Sequence, residues 1–141
     1  MLEFTKHIAA PQLKDATSVQ ELILIVRKSP FSKKQLNQLA KKLELSTTQA
    51  AVIAGTDLQT YQSMKADSEL SSSASESMLK LAEVYQNGLN AFNNNEKSFL
   101  GWAKEPIPAL NKAIPQELMT TVLGVDLVNQ ELLRIEHSIF Y

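Results

Sequence analysis

Helix-start signals recur along the whole sequence, and they constrain its fold more than any other feature. A short polar residue that can accept hydrogen bonds from the first backbone N–H groups of a helix stands before each of several apolar stripes. The predicted capping residues are Ser18, Ser32, Ser46, Asp57, Ser73 and Asn95. No stretch of any length shows the alternating apolar pattern of a β-strand. The sequence therefore predicts an all-α fold of about seven helices.

Prolines and glycines set the ends of the predicted helices. Ser29-Pro30 ends the first one, because the residue before a proline is disfavoured in the helical region. Gly55 is expected to form the tight turn between two short helices, since glycine adopts positive φ at little cost. Later helices are predicted over 58–66, 73–93, 115–123 (stopped by Gly124) and 125–140. A further helix is predicted to begin after Asn95 and to be ended by Pro106 and Pro108, which impose an extended connector over 105–114.

This pattern divides the chain into three parts. Residues 1–17 are expected to be irregular, because Pro11 interrupts any early helix. Residues 18–94 are expected to form a helix-turn-helix domain with a connecting helix. Residues 95–141 are expected to form a smaller helical domain that ends in the longest amphipathic stripe of the C-terminal third.

Composition excludes several classes of protein. The 141 residues include no cysteine, which excludes thiol catalysis and disulfides and fits a reducing compartment. The longest apolar run, from Leu22 to Val26, is far shorter than the ~20 residues that span a bilayer, and residues 1–6 lack a signal-peptide pattern. We therefore expect a cytoplasmic protein without membrane contact.

The sequence has few groups suited to catalysis. Its two histidines, His7 and His137, have no partner at a metal-binding spacing, and adjacent helical residues such as Glu136 and His137 point to different faces. Four glycines in all form no phosphate-binding loop. The chain is predicted not to be an enzyme, and no cofactor or metal is expected.

The region around Gly55 has the order of a helix-turn-helix motif. A helix, a glycine turn and a second helix follow a lysine-rich helix, and residues 31–66 carry five lysines against two acidic residues. Side chains able to reach bases or phosphates are predicted at Thr48, Gln49, Gln59, Thr60, Gln62, Ser63 and Lys65. The alternative is a solvated polar face, because the second helix has no arginine.

The final helix is predicted to divide into an inward and an outward set of residues. Val125, Val128, Leu132 and Ile135 recur at spacings of three and four and form a core face. The remaining end of the helix is available to a partner, and aromatic anchors at a chain end suit an interface. The candidate contact residues are Trp102, Arg134, Glu136, His137, Ile139, Phe140 and Tyr141, although a lone tryptophan is more often part of a core.

The last third also carries an ordered series of motifs. Phe99-Leu100-Gly101-Trp102 leads to a connector at Pro106, residues 121–124 read Thr-x-x-Gly, and Arg134-Ile135-Glu136-His137 stands near the end. This series resembles the toxin-binding domain of Xre/MbcA/ParS-type antitoxins. Upstream, residues 45–55 and 79–82 resemble the Xre-like helix-turn-helix of the same family, so the resemblance covers roughly residues 19–141.

The resemblance implies a type II antitoxin. Its partner would be a RES-domain toxin, an enzyme that attacks NAD or transfers ADP-ribose from it. The C-terminal helix and chain end of the antitoxin would occupy the toxin's active-site cleft, and the helix-turn-helix of a homodimer would bind operator DNA of its own operon. Two other functions remain open: a stand-alone helix-turn-helix repressor, and an inhibitor or immunity protein whose helix-turn-helix binds no DNA.

Three departures from the family pattern make structural predictions. Leu110-Asn111-Lys112 replaces a usual Leu-Gly-Gly, which predicts a different backbone path in the connector. Ser138 replaces a glycine, which predicts a helix that continues to within one turn of Tyr141. Residues 62, 63 and 80 lack the arginines usual there, which predicts a weaker attraction to DNA phosphates.

Overall fold

The computed structural model describes residues 2–138. Over these residues the chain is helical, with eight α-helices, three short 3-10 helices and no strand. The α-helices are α1 (Val19–Lys28), α2 (Lys33–Lys42), α3 (Thr47–Ala54), α4 (Leu58–Ser63), α5 (Ser72–Ala91), α6 (Glu96–Ala103), α7 (Pro115–Leu118) and α8 (Val122–Ser138). The 3-10 helices span Glu3–His7, Pro11–Leu13 and Pro108–Leu110. The expected all-α fold is confirmed.

Five of the six predicted capping residues cap a helix. Each accepts a hydrogen bond from the backbone N–H three residues on. In two of them the cap's own N–H also donates to the side chain of that residue, which completes a capping box. The five are Ser18, Ser32, Ser46, Asp57 and Asn95, the boxes being those of Ser32 and Ser46. Ser73 was the wrong choice: the cap of α5 is Ser71, whose hydroxyl accepts from the N–H of Ala74 at 3.0 Å.

Gly124 does not stop a helix, contrary to the sequence prediction. α7 ends at Leu118, and Gly124 lies in the first turn of α8, where its N–H donates to the hydroxyl of Thr121 at 3.1 Å. A Cβ at this position would lie 2.0 Å from the carbonyl oxygen of Leu118. The glycine is therefore required by the close approach of α7 to α8.

The longest helix, α5, is the centre of the fold. α8 packs along it more extensively than any other element, and α1, α2, α3, α6 and the 3-10 helix Glu3–His7 also contact it. The buried apolar side chains form one continuous core that runs from Ile8 to Leu132. α5 therefore contributes to the packing on both sides of the predicted domain boundary at residue 94, and the segment before residue 17 supplies buried Ile8 and Leu13.

An aromatic cluster holds α6 on the last turns of α5. Phe99 is fully buried, and its ring lies 6.1 Å from Tyr85, 6.3 Å from Phe92 and 6.5 Å from Trp102 between centroids. A Cβ at Gly88 would lie 2.3 Å from this ring. The absence of a side chain at Gly88 therefore lets α6 approach α5 closely.

The connector between α6 and α7 keeps a backbone that glycine favours. Asn111 and Lys112 have φ values of 55° and 66°, in the left-handed region. The N–H of Ile107 donates to the carbonyl of Ala113 at 3.0 Å, and the N–H of Lys112 donates to the carbonyl of Ile107 at 2.9 Å, which closes the loop around them. Asparagine and lysine thus stand in the left-handed region here, and the different path relative to the family stays a prediction.

Candidate functional site

The inner side of α8 is anchored to α5 by apolar and polar contacts. Val125, Val128 and Leu132 are buried, as the apolar stripe predicted. Beside them, the amide of Asn87 on α5 donates to Asn129 on α8 at 2.8 Å. Apolar burial supplies most of the attraction, and the amide pair adds directional hydrogen bonding. The N-terminal half of α8 is therefore held in a fixed position.

The C-terminal half of α8 continues as a helix up to the end of the described residues. It runs through Ser138, three positions before Tyr141, and the Ser138 hydroxyl donates to the carbonyl of Ile135 at 3.1 Å. The helix therefore continues at Ser138. This agrees with the prediction made from the replacement of glycine by serine at this position. The candidate contact residues Ile139, Phe140 and Tyr141 lie outside the described residues.

Arg134 forms an ion pair that the sequence did not reveal. Its Nε lies 3.1 and 3.0 Å from the two carboxylate oxygens of Glu131, and its Nη2 lies 2.5 Å from one of them. The Glu131 side chain is only 8% exposed, whereas that of Arg134 is 60% exposed. Hydrogen bonding to Glu131 and its negative charge raise the pKa of Arg134. Arg134 therefore compensates a buried carboxylate, and only the i, i+3 spacing in the sequence hinted at this pair.

The other described candidates for toxin contact lie in two different environments. Glu136 is half-buried and His137 is exposed at the end of α8, next to Arg134 in the sequence. Trp102 is half-buried in the aromatic cluster, its ring 5.9 Å from Phe92 and inclined by 27° to Phe99. The structure thus gives Trp102 a packing role, and its contact with a partner stays a prediction.

A glycine turn and an aspartate cap set the geometry of α3 and α4. Gly55 has a φ of 82°, and its N–H bonds back to α3, as expected for a left-handed helix end. Asp57 then accepts from the N–H of Thr60 at 2.8 Å and from its hydroxyl at 2.9 Å. These hydrogen bonds lower the pKa of Asp57. α4 ends at Ser63, three residues earlier than predicted, because Met64 takes an extended conformation.

Most of the residues predicted to contact DNA are exposed. Four of them lie on the solvent-facing side of α4. Thr48 lies on α3, and Lys65 lies just beyond the end of α4. The exposed residues are Thr48, Gln59, Thr60, Gln62, Ser63 and Lys65. Gln49 differs in being half-buried: its side-chain oxygen accepts from the N–H of Ser46 at 2.8 Å, and its amide donates to the carbonyl of Gln116 at 3.2 Å. The polar groups of Gln49 are thus used within the chain.

Lys33 caps the end of α4. Its Nζ donates to the carbonyl oxygens of Gln62 at 3.3 Å and Met64 at 2.9 Å, and it lies 5.0 Å from the ring centroid of Tyr61. Lysine near a helix C-terminus satisfies carbonyl groups that have no partner within the helix. Lys33 is therefore half-buried and has partners within the chain, whereas Lys34, Lys41 and Lys42, the other lysines of α2, are exposed.

Two polar side chains, those of Gln116 and Lys104, connect the α2–α3 turn to the C-terminal third. The side-chain amide of Gln116 donates to the carbonyls of Leu43 at 3.0 Å and Glu44 at 3.2 Å. Lys104, at the end of α6, forms an ion pair with Glu44. These contacts join residues that are 60 or more positions apart in the sequence, so the site on α8 and the α3–α4 pair belong to one packed unit.

Other types of site receive no support from the described part of the chain. Among residues 2–138, no three or more His, Asp or Glu side chains lie together in a group that would hold a metal ion. Within the same range, no helix is both long enough and apolar enough to cross a membrane.

Comparison with protein families identifies the C-terminal third. Residues 88–137 match the family model of the antitoxin Xre/MbcA/ParS C-terminal toxin-binding domain. No curated protein matches the chain. The match begins in the last turn of α5 and ends at His137, so it includes Phe92, Phe99 and Trp102 of the aromatic cluster, the connector and α8 up to its last described turn. It confirms the resemblance inferred from the sequence for this part of the chain, and it supports an antitoxin that binds a toxin.

Proposed function

From this toxin-binding domain, we propose that the chain neutralises a RES-domain toxin by placing the end of α8, with Ile139, Phe140 and Tyr141, in the toxin's active-site cleft. The observation that carries the proposal is the uninterrupted course of α8 up to Ser138. A helix that is already formed loses little conformational entropy when it binds, so it presents its end at a low cost.

The anchoring of α8 supports the same function. Buried Val128 and Leu132 and the Asn87–Asn129 hydrogen bond fix the helix on α5. Beyond them, the exposed Arg134 and His137 extend away from the core. A fixed stem with an exposed end suits insertion into a concave site.

The residue types at the end fit a cleft that binds NAD. NAD carries a diphosphate and two ring systems, so its binding site offers cationic donors and surfaces for stacking. Glu136 supplies a carboxylate, and the sequence continues with the rings of Phe140 and Tyr141. In this proposal these groups exclude NAD by occupying its site, and the chain itself performs no chemical step.

Truncation tests the proposal. A variant that ends at Glu136 is expected to lose neutralisation when co-expressed with the toxin encoded by the neighbouring open reading frame, and to bind purified toxin at least 100-fold more weakly, because it lacks the inserted residues. Growth after induction and isothermal titration calorimetry measure the two effects. Equal growth protection by the truncated and intact forms would refute insertion of the end.

The control for truncation is the stability of the free protein. His137 and Ser138 are exposed, and the buried contacts of α8 end before them. The melting temperature and helical circular dichroism should therefore change little. A large loss of helicity would mean that binding was lost through unfolding. In that case a variant that ends at Ser138, which keeps all the described residues of α8, would test insertion.

We further propose that a homodimer binds operator DNA through α4, with Gln59, Thr60, Gln62 and Ser63 toward the bases. Support comes from the exposure of these residues and from the fixed turn at Gly55. Two other functions compete with this proposal. A stand-alone repressor would bind DNA but no toxin, and an inhibitor or immunity protein would bind toxin but no DNA.

A gel shift on the operon's own promoter tests DNA binding. The wild-type chain is expected to shift the promoter, and Gln59→Ala/Gln62→Ala to lose roughly tenfold or more in affinity for it, because two base-contacting amides are removed. Arg27→Gln on α1 controls for the general effect of a surface change. A shift that is absent at low salt, or equal for unrelated DNA, would exclude operator recognition.

A further inference from the structure

The outward side of α8 carries two exposed leucines that its core packing does not use. Leu123 is 78% exposed and Leu127 is 48% exposed, and they lie one turn apart on the same side of the helix. Arg134 follows seven residues after Leu127, which is close to two turns, so it continues the same line. We call Leu123, Leu127 and Arg134 the outer ridge.

The arrangement of the outer ridge differs from the other exposed apolar residues. Val19 and Leu24 on α1 are five residues apart and so point to different sides of the helix, and Val52 on α3 stands alone. Single exposed apolar residues are normal on protein surfaces. On α8, two leucines stand one turn apart and lead toward the end proposed to bind the toxin. Exposed apolar residues that are contiguous mark surfaces for a partner.

We propose that the outer ridge is a second contact surface for the toxin, outside the active-site cleft, and that it fits an apolar patch bordered by an acidic side chain. This inference rests on the proposed function. All three residues lie within the segment that matches the toxin-binding domain. A toxin that receives the end of α8 in its cleft would meet the preceding turns at the cleft's rim, so the two surfaces are continuous along one helix.

Arg134 determines the charge of the partner surface. Glu131 holds its Nε and Nη2, and no other hydrogen bond of the guanidinium is made within residues 2–138. The Arg134 side chain is 60% exposed, so its remaining N–H groups are accessible, and the bonds to Glu131 restrain the planar group. A carboxylate on the partner would complete this arrangement.

A second copy of the chain is a poorer occupant of the same surface. If two α8 helices packed antiparallel about the middle of the ridge, Arg134 of each would face Leu123 of the other, eleven residues away in sequence. In a parallel pair the two arginines would face each other. In the antiparallel pair the nearest carboxylate on α8 is that of Asp126, which is already paired with Lys80. In the parallel pair it is that of Glu131, which is buried and already paired. Neither arrangement therefore supplies a free acceptor for Arg134.

The test is the affinity of Leu123→Asp/Leu127→Asp for the purified toxin from the neighbouring open reading frame. We expect binding at least 100-fold weaker, about tenfold or more for each leucine, because a charge replaces apolar surface that would be buried. Leu24→Asp is the matched control, since Leu24 is a 64% exposed leucine on α1, and its affinity should equal that of the wild type. Leu123→Ser alone, at the most exposed position, keeps the test valid if the double variant does not fold.

The outcomes separate this inference from the proposed function. Wild-type affinity in the double variant, together with lost binding after truncation at Glu136, would overturn the outer ridge and leave the inserted end in place. No binding by the wild-type chain would overturn the proposed function itself. A change in the oligomeric state of the free double variant, seen by light scattering with toxin affinity unchanged, would assign the ridge to self-association and also overturn the inference.

Discussion

Replacing Gly88 by alanine is expected to lower the free energy of unfolding by about 3 kcal/mol. The added Cβ would lie 2.3 Å from Cε1 and Cζ of Phe99. That ring is fully buried and has Tyr85, Phe92 and Trp102 around it, so it has no free space into which to turn. α6 would have to move away from α5, and the tightly packed aromatic cluster would lose contacts.

Urea denaturation followed by the fluorescence of Trp102 measures this effect. Gly101→Ala is the matched control, because a Cβ there meets no atom within 4 Å. Since alanine is the better helix former, Gly101→Ala should raise stability by roughly 0.5–1 kcal/mol.

A second-site change tests the stated cause. Phe99→Leu shortens the side chain that Gly88→Ala would strike, so the double variant should be more stable than the sum of the two single losses predicts. Simple additivity, or a Gly88→Ala variant that behaves like Gly101→Ala, would show that the contact does not limit packing.

Replacing Gly124 by alanine is expected to lower the free energy of unfolding by about 2–3 kcal/mol. Here the added Cβ would lie 2.0 Å from the carbonyl oxygen of Leu118 and 2.8 Å from its carbon. These are backbone atoms, which cannot change rotamer. Either α7 must shift or the first turn of α8 must open.

Hydrogen exchange distinguishes where the strain goes. The N–H groups of Glu117 and Met119, bonded to Ile114 and Gln116, should exchange faster in Gly124→Ala. The central amide groups of α5 should exchange only through global unfolding, at the rate that the measured stability of the variant predicts. Unchanged exchange in α7, with equal stability of Gly124→Ala and Gly101→Ala, would contradict the proposed clash.

Local chemistry explains why most helix starts were predictable. A capping serine or aspartate acts on N–H groups three residues away, so the information lies in a short stretch of sequence. The error at α5 arose where several serines compete. There the choice is made by tertiary contacts: the N–H of Phe31 donates to the buried hydroxyl of Ser75 at 2.9 Å, and the N–H of Leu70 donates to the carbonyl of Phe31 at 2.8 Å. These contacts fix the chain just before Ser71.

Long-range contacts explain what the sequence missed at the candidate sites. Lys33 resembles a solvated lysine, and its partners lie 29 and 31 residues away in the sequence. Glu131 resembles a surface glutamate, but packing of α8 buries it. Helical periodicity correctly separated Val128 and Leu132 from the exposed end of α8. It could not show that Arg134 already has a partner or that Gly124 serves a close approach.

The position of α5 has a consequence for how such a protein can evolve. α5 packs against α1, α2 and α3 and also against α8, and the toxin-binding match begins only at its last turn. A recombination event between related genes that joins them near residue 94 would combine α8 from one parent with α5 from the other. Only a crossover before Ser72 keeps the α5–α8 packing intact. A crossover there would in turn separate α5 from the α1, α2 and α3 of its own parent. Related chains should therefore exchange their two ends only where the surfaces that pack on α5 are alike in both parents.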